Sequence, residues 1–271
     1  MDILNKTLVT GGSGSVASYV DFGMKANREV FDITSMAQVI EFVEKFKPKV
    51  ILHLAAETDL TKCENDPPHA YFVNAVGTYN LAGAARKVGA KMVYVSTDSV
   101  FPNSKSPHLI SEEPKPGSIY GHSKYLGELA VKGLSNDYII ARTSWVFGGG
   151  IDRDKKFVAK FISGLEKPEV KAVDDEFGSP TYARDLAMAL KSLIIEDKQG
   201  IFHLANSGVT SRYEMATVIT KVLQKQVNVL PVSSREFGLL AHQHSSGGLV
   251  GDLGLRSWRE ALKEYLETEW V

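Results

Sequence analysis

A phenol and an ammonium stand four residues apart in the run Tyr120-Gly121-His122-Ser123-Lys124. On a helix that spacing puts both side chains on one face, so both can point into one cleft. Reduction of a ketone needs a proton donor at oxygen as hydride reaches carbon, and a cation beside a tyrosine lowers the phenol towards working pH. Upstream, Val93-Tyr94-Val95 reads as a strand running into Ser96-Thr97-Asp98. Ligands of parallel sheets bind at the carboxyl ends of strands, so the Thr97 hydroxyl is placed to bond a substrate oxygen. Tyrosine and lysine at this spacing also decorate solvated helices, and the surrounding elements must decide between the two readings.

A second chemical feature lies near the start of the chain. Thr10-Gly11-Gly12-Ser13-Gly14-Ser15-Val16-Ala17 follows the apolar strand Thr7-Leu8-Val9 and enters a helical segment. In that context a glycine turn lets a pyrophosphate approach backbone N–H groups at a helix N-terminus. Ala17 stands where a third glycine is common; one methyl is tolerable there because that position governs helix-to-strand packing.

The elements that must position these residues alternate. Strand-like runs at Thr7 to Val9, Val50 to Leu52 and Met92 to Val95 are separated by helical patterns from Met36 to Phe46 and from His69 to Val88. Such alternation predicts an α/β fold, a doubly wound parallel sheet of Rossmann type. Val39, Ile40, Val43 and Phe46 form a core-facing stripe, with Ser35 as N-cap and Pro48 just past the end. After a helix from about Tyr120 to Val131 and a strand at Tyr138-Ile139-Ile140 the pattern changes, which places a dinucleotide-binding domain over 1–150 and a smaller, mainly substrate-binding lobe over 151–271. Helices are expected in that lobe at Phe157 to Leu165, Ala183 to Ile195, Tyr213 to Leu223 and Trp258 to Leu266, with a strand at Ile201 to Leu204. Ser233 to Gly254, rich in Gly, Ser and His, reads as a weakly restrained loop.

Composition narrows the partners. With 271 residues, 44% hydrophobic, 23% charged and a net charge of -1, the chain can bury a sizeable core and carries no basic footprint for nucleic acid or a membrane surface. One cysteine, Cys63, excludes an internal disulfide. That fits a reducing cytoplasmic compartment, and neither an export signal nor an apolar span is read. Cys63 lacks a partnering histidine motif, and His53 inside an apolar strand reads as a packed, hydrogen-bonded residue. His242 and His244 lack a third ligand at suitable spacing, so no metal is expected.

Together these segments resemble the extended short-chain dehydrogenase/reductases, and within them the dTDP-4-dehydrorhamnose reductase family. The resemblance covers nearly the whole chain. It rests on the glycine loop, Asp32-Ile33-Thr34, Leu52-His53-Leu54-Ala55-Ala56-Glu57-Thr58, Val73-Asn74-Ala75 and Ser96-Thr97-Asp98 with Val100-Phe101. It continues through Tyr120 to Lys124, Arg142 to Phe147, Asp175 to Thr181 and Phe202 to Asn206.

The resemblance implies Thr97, Tyr120 and Lys124 as the catalytic set, with Thr97, Asp98 and Trp145 near the sugar of a nucleotide-diphosphate 6-deoxy sugar whose 4-keto group is reduced. It implies NADPH or NADH in a groove lined by Gly11, Gly14, Ser15, Val16, Asp32, Ile33, Ala55, Ala56 and Asn74, with Lys124 holding the nicotinamide ribose. It also implies nucleotide binding by the C-terminal lobe, and a homodimer. Lys25 and Arg28 near the adenosine ribose favour NADPH, against the acids Asp21, Glu29 and Asp32.

Two departures stand out. Only 14 residues separate Ala17 from Asp32, so the first helix or the second strand must be abbreviated. Residues 241–249 replace the family's usual Arg-Pro, Ser and Leu-Asp pattern. These departures motivate a rival reading as a non-catalytic, NADP-binding regulatory subunit. A third reading is an epimerase or reductase acting on another nucleotide sugar.

Overall fold

The computed structural model describes residues 2–104, 107–237 and 247–270. Six parallel strands form its central sheet: β1 (Thr7–Thr10), β2 (Met24–Ala26), β3 (Val50–His53), β4 (Lys91–Thr97), β5 (Tyr138–Thr143) and β6 (Gly200–His203). Their order is β6-β5-β4-β3-β1-β2. The chain turns one way from β1 to β2 and then returns to the other side of β1 as β3. A crevice opens at such a reversal, at the carboxyl ends of the strands.

Alternate sheet residues serve two cores, as the strand period of two requires. Leu8, Ile51, Met92, Tyr94 and Ile140 pack under the helices Met36–Phe46, Gly77–Val88 and Ile119–Leu134. Val9, Leu52, Val93, Ile139 and Ala141 face the helix Ala183–Ile195 on the other side. Ser35 caps the first of these helices through its side chain, which accepts from the Gln38 amide, and Lys47 closes it with φ 50°.

Both abbreviations allowed by the short 17–32 interval occur: the first crossover helix is only Ser15–Ser18 and β2 only three residues. The expected helix from His69 to Val88 is present as Pro67–Tyr71 and Gly77–Val88, joined by a π-helical turn, Phe72–Val76, that holds Asn74.

Two elements expected in the second lobe sit instead on the central sheet. The helix Ala183–Ile195 buries Leu186, Leu190, Leu193 and Ile194 against it, and β6 pairs with β5. Periodicity reports which face of an element is apolar, not which sheet covers it. A third core is built around Phe147, Phe161, Tyr182, Ile219, Trp258 and Tyr265, from the helices Phe157–Ser163, Arg212–Val222 and Trp258–Glu269. A two-stranded parallel ribbon, Glu169–Val173 with Asn228–Val232, flanks it.

The expected loop from Ser233 to Gly254 is only partly described. Ser234–Phe237 forms a 3-10 turn, and 247–250 is stitched into the structure. There Gly247 N–H donates to the Phe177 carbonyl, Leu249 N–H to Ser179 Oγ and Val250 N–H to the His108 carbonyl. Two backbone carbonyls and one serine hydroxyl supplied by distant segments restrain this stretch despite its glycines. His242, His244 and most of the departing 241–249 segment lie outside the described residues.

Candidate active site

The helix Ile119–Leu134 begins at Ser118, whose hydroxyl accepts from Gly121 N–H at 3.0 Å. This cap sets Tyr120 in the first turn, and Lys124 follows one turn later on the same face. The helix approaches the segment after β4 very closely, because a Cβ at Gly121 would collide with the Ser99 carbonyl. Tyr120 therefore lies beside Thr97 and Asp98 at the carboxyl end of β4, with its phenol close to the Thr97 side chain. Thr97 Oγ1 also donates to Asp98 Oδ1 at 3.1 Å, and Ser144 Oγ donates to Asp98 Oδ2 at 2.6 Å. Burial holds the Asp98 carboxyl above its ordinary range, offset by these hydroxyl donors.

The expected lowering of Tyr120 by Lys124 is not found. Burial raises the phenol, the nearby Thr97 hydroxyl lowers it in part, and the nearby Asp98 carboxylate raises it again. The lysine is occupied elsewhere: its Nζ donates to the Val95 carbonyl at 2.8 Å and lies 4.1 Å over the Tyr94 ring. Desolvation brings Lys124 down to about 7, and Glu128 acts against the fall. Tyr120 is thus held neutral, the form that can give a proton.

At the crevice the glycine loop abuts the end of β3. Gly11, with φ 69°, lies so close to this segment that a Cβ would stand 2.7 Å from the Ala55 nitrogen. Gly14 N–H donates to the Gly11 carbonyl at 2.9 Å, and Gly14 leads directly into Ser15 and Val16 of the short helix. Ser13 and Gly14 present exposed backbone beside the half-buried Ala55 and Ala56. Only glycine fits at Gly11, and the open backbone next to it suits a pyrophosphate.

Other expected cofactor residues hold the groove's walls together. The Asp32 carboxylate accepts from Thr34 N–H and Oγ1 and pairs with Arg28 at 3.1 Å, while Ile33 packs on Gly77. Asn74 spends its whole amide inside the protein. Its Oδ1 accepts from Glu57 N–H, and its Nδ2 donates to the Glu57 carbonyl and to Ser123 Oγ, clamping the β3 loop to the tyrosine helix. His53 is packed and hydrogen-bonded, as expected: its two ring nitrogens meet the Thr10 and Thr78 hydroxyls, and burial pulls it down to about 3. Cys63 is buried 3.9 Å from the Glu57 carbonyl, and burial pushes its thiol up to about 12.

Trp145 joins this site through its neighbour Ser144, but both indole faces are covered. Gly178 lies flat on one, close enough that a Cβ would clash, and the Arg212 guanidinium lies 3.5 Å from the ring centroid. Trp145 takes φ 41°, a strained value for a bulky residue. Only its edge remains to meet a sugar. Arg212 escaped the sequence reading because no local spacing links it to Trp145.

Among known proteins, the model of the RmlD substrate binding domain matches residues 5–270. The spore coat polysaccharide biosynthesis protein SpsK of Bacillus subtilis is 33% identical over 97% of this chain and 98% of its own. The dTDP-4-dehydrorhamnose reductase of Mycobacterium tuberculosis is 34% identical over 95% of this chain and 91% of its own. The crystal structure of dTDP-4-dehydrorhamnose reductase from Bacillus anthracis in complex with NADP superposes with a TM-score of 0.90, at 34% identity, covering 97% of this chain and 99% of that one. With the Rossmann crevice and the Thr97, Tyr120 and Lys124 cluster beside it, these matches make the chain a member of the RmlD, or dTDP-4-dehydrorhamnose reductase, family of extended short-chain dehydrogenase/reductases.

Proposed function

We propose that this protein reduces the 4-keto group of a nucleotide-diphosphate 6-deoxy sugar with NADPH. The observation that carries the reading is the placement of a neutral Tyr120 beside Thr97, where the β4 end borders the β1/β3 crevice. When bound, the dihydronicotinamide supplies a hydride to the ketone carbon. Thr97 and Tyr120 hold the ketone oxygen, and Tyr120 transfers its proton to that oxygen as negative charge develops there. Lys124 would hold the nicotinamide ribose, and solvent restores the proton to Tyr120. In the free protein the Thr97 proton goes to Asp98, so the hydroxyl would turn from Asp98 to the ketone oxygen when substrate binds.

Gly11, Gly14, Ser15 and Val16 would cradle the pyrophosphate, with Ala55 and Ala56 opposite. Asp32 and Ile33 would border the adenosine, and Asn74 would shape the groove through Glu57. Arg28, just beyond the end of β2, supports NADPH over NADH because a guanidinium pairs with a 2'-phosphate. The third core would form the nucleotide side of the cleft. Phe72, Val76, Tyr79 and Leu129 leave an exposed apolar patch on adjacent helices, and this supports a homodimer. No helix among the described residues is long and apolar enough to cross a membrane, and a cytoplasmic location is part of the same proposal.

Incubation with a panel of nucleotide 4-keto sugars, followed by loss of NADPH absorbance, tests the reaction. Tight NADPH binding without turnover of any of them, together with a co-purifying partner, would favour a regulatory subunit instead. Light scattering after size exclusion tests the dimer.

A further inference from the structure

We infer that Arg212 recognises the diphosphate bridge of the substrate, presenting a guanidinium whose in-plane donors are pre-aimed at an anion. The inference rests on the nucleotide-sugar reading above and assigns a residue to its charged part. It comes from how the protein pairs its other wholly or partly buried arginines. Arg142, 1% exposed, gives Nε and Nη2 to the two oxygens of Glu128. Arg256, although 32% exposed, gives Nε and Nη2 to the two oxygens of Asp185 in the same fork-to-fork manner. A guanidinium taken out of water for structural reasons is matched in this way.

Arg212 is not. Its carbon lies 3.5 Å from the Trp145 ring centroid and 4.8 Å from that of Phe157, so aromatic rings cover the plane of this half-buried side chain. Nη1 leans on Met215 Sδ at 3.8 Å, a weak acceptor. No carboxylate lies within ion-pair distance of it among the described residues. Asp98 and Glu176 feel its charge only at longer range, and desolvation lowers its pKa to about 10. Stacking restrains the plane and leaves the edge as the route for further hydrogen bonds, the geometry that suits phosphate oxygens.

Its position suits the role. The path from the reacting end runs from Asp98 through the Ser144 hydroxyl to the adjoining Trp145, and Arg212 lies on Trp145. Residues 177–179 back the same indole through Gly178. Next to Phe157, Lys156 reaches across to Thr58, donating to its Oγ1 at 2.9 Å. A second cation thus stands near the same wall. A sugar at Tyr120 would leave its diphosphate on the side of Trp145 and Arg212.

The test compares binding of dTDP and UDP, each against its own uncharged nucleoside, in wild type, Arg212→Met, Arg212→Gln and Arg212→Lys. The methionine variant refills the space between the rings without a charge, and so guards against collapse of the glutamine variant. Diphosphate affinity should fall at least about tenfold in the Met and Gln variants. Nucleoside and NADPH affinity should be unchanged, and Lys should restore part of the loss. KM for the keto sugar should rise in parallel, with kcat less affected. An unchanged diphosphate affinity overturns the inference, as does a parallel loss of nucleoside and diphosphate, which would make Arg212 a packing residue. Wild-type protein that fails to oxidise NADPH with any of the keto sugars overturns the reductase reading itself, a failure visible before any variant is made.

Discussion

Tyr120 and Lys124 are both desolvated, and desolvation acts on them in opposite directions. The phenol is kept protonated, so removing its hydroxyl removes the donor and little else. Tyr120→Phe should therefore lower kcat about 10²–10⁴-fold while NADPH affinity stays within a few-fold; wild-type-like turnover would rule the mechanism out. Lys124, brought to about 7, is largely neutral at pH 8 in the free protein. A bound dinucleotide's negative charge favours the ammonium, so binding takes up a proton at that pH and affinity falls as pH rises from about 7. Calorimetric titration of NADPH at pH 8 in two buffers of different ionisation enthalpy measures this uptake. At that pH phosphate itself no longer titrates. Zero uptake would place Lys124 away from the charge. The same shift means that between the ordinary 10.5 and about 7 the unfolded chain binds more protons, so Lys124 detracts from stability as pH falls through that window. Thr97, Tyr120 and Lys124 were legible because their spacing is local to one helix and one strand end. Arg212 was not, because Trp145, Phe157 and Arg212 meet only through the third core.

Helix placement depends on a few positions where a side chain would not fit. Gly121→Ala would drive a methyl into the Ser99 carbonyl, which is backbone and cannot swing aside. The helix must then lift from the β4 end and take its neighbour Tyr120 with it. We expect a loss of roughly 1–3 kcal/mol in stability, read from thermal or urea melts, together with a fall in kcat. At Gly133 on the same helix an added methyl would meet nothing within 4 Å. Gly133→Ala should be neutral or stabilising by up to about 1 kcal/mol. If the two variants behave alike, the close approach is not what positions the helix. The Met36–Phe46 and Ala183–Ile195 boundaries were readable residue by residue, the first from its Ser35 cap and apolar periodicity together, the second from periodicity alone. The count of 14 residues before Asp32 limited only the combined length of helix and strand, so it could not show that both are short. The hydrogen bonds that restrain 247–250 connect segments far apart in sequence and leave no mark on composition.

Across the molecule the chain crosses into the third core after Phe147 and comes back to the sheet for the helix Ala183–Ile195 and β6. A fragment ending at residue 150 would expose the sheet face that Leu186, Leu190, Leu193 and Ile194 cover. At about 25 cal/mol per Å² of apolar surface that loss is several kcal/mol, comparable with a typical domain's whole stability. Fragment 1–150 should show no cooperative melt by circular dichroism, whereas a sharp transition would establish it as an independent unit. This interleaving also bears on the lone thiol. Cys63 is 1% exposed, next to the Glu57 backbone that Asn74 clamps to the tyrosine helix. An alkylating reagent can reach it only while that clamp is open, so the rate of labelling counts openings of the crevice wall molecule by molecule. Nucleotide that tightens the wall should slow the labelling in proportion to its occupancy. The protein thereby carries a chemical clock for its own breathing, readable by mass spectrometry without any substitution.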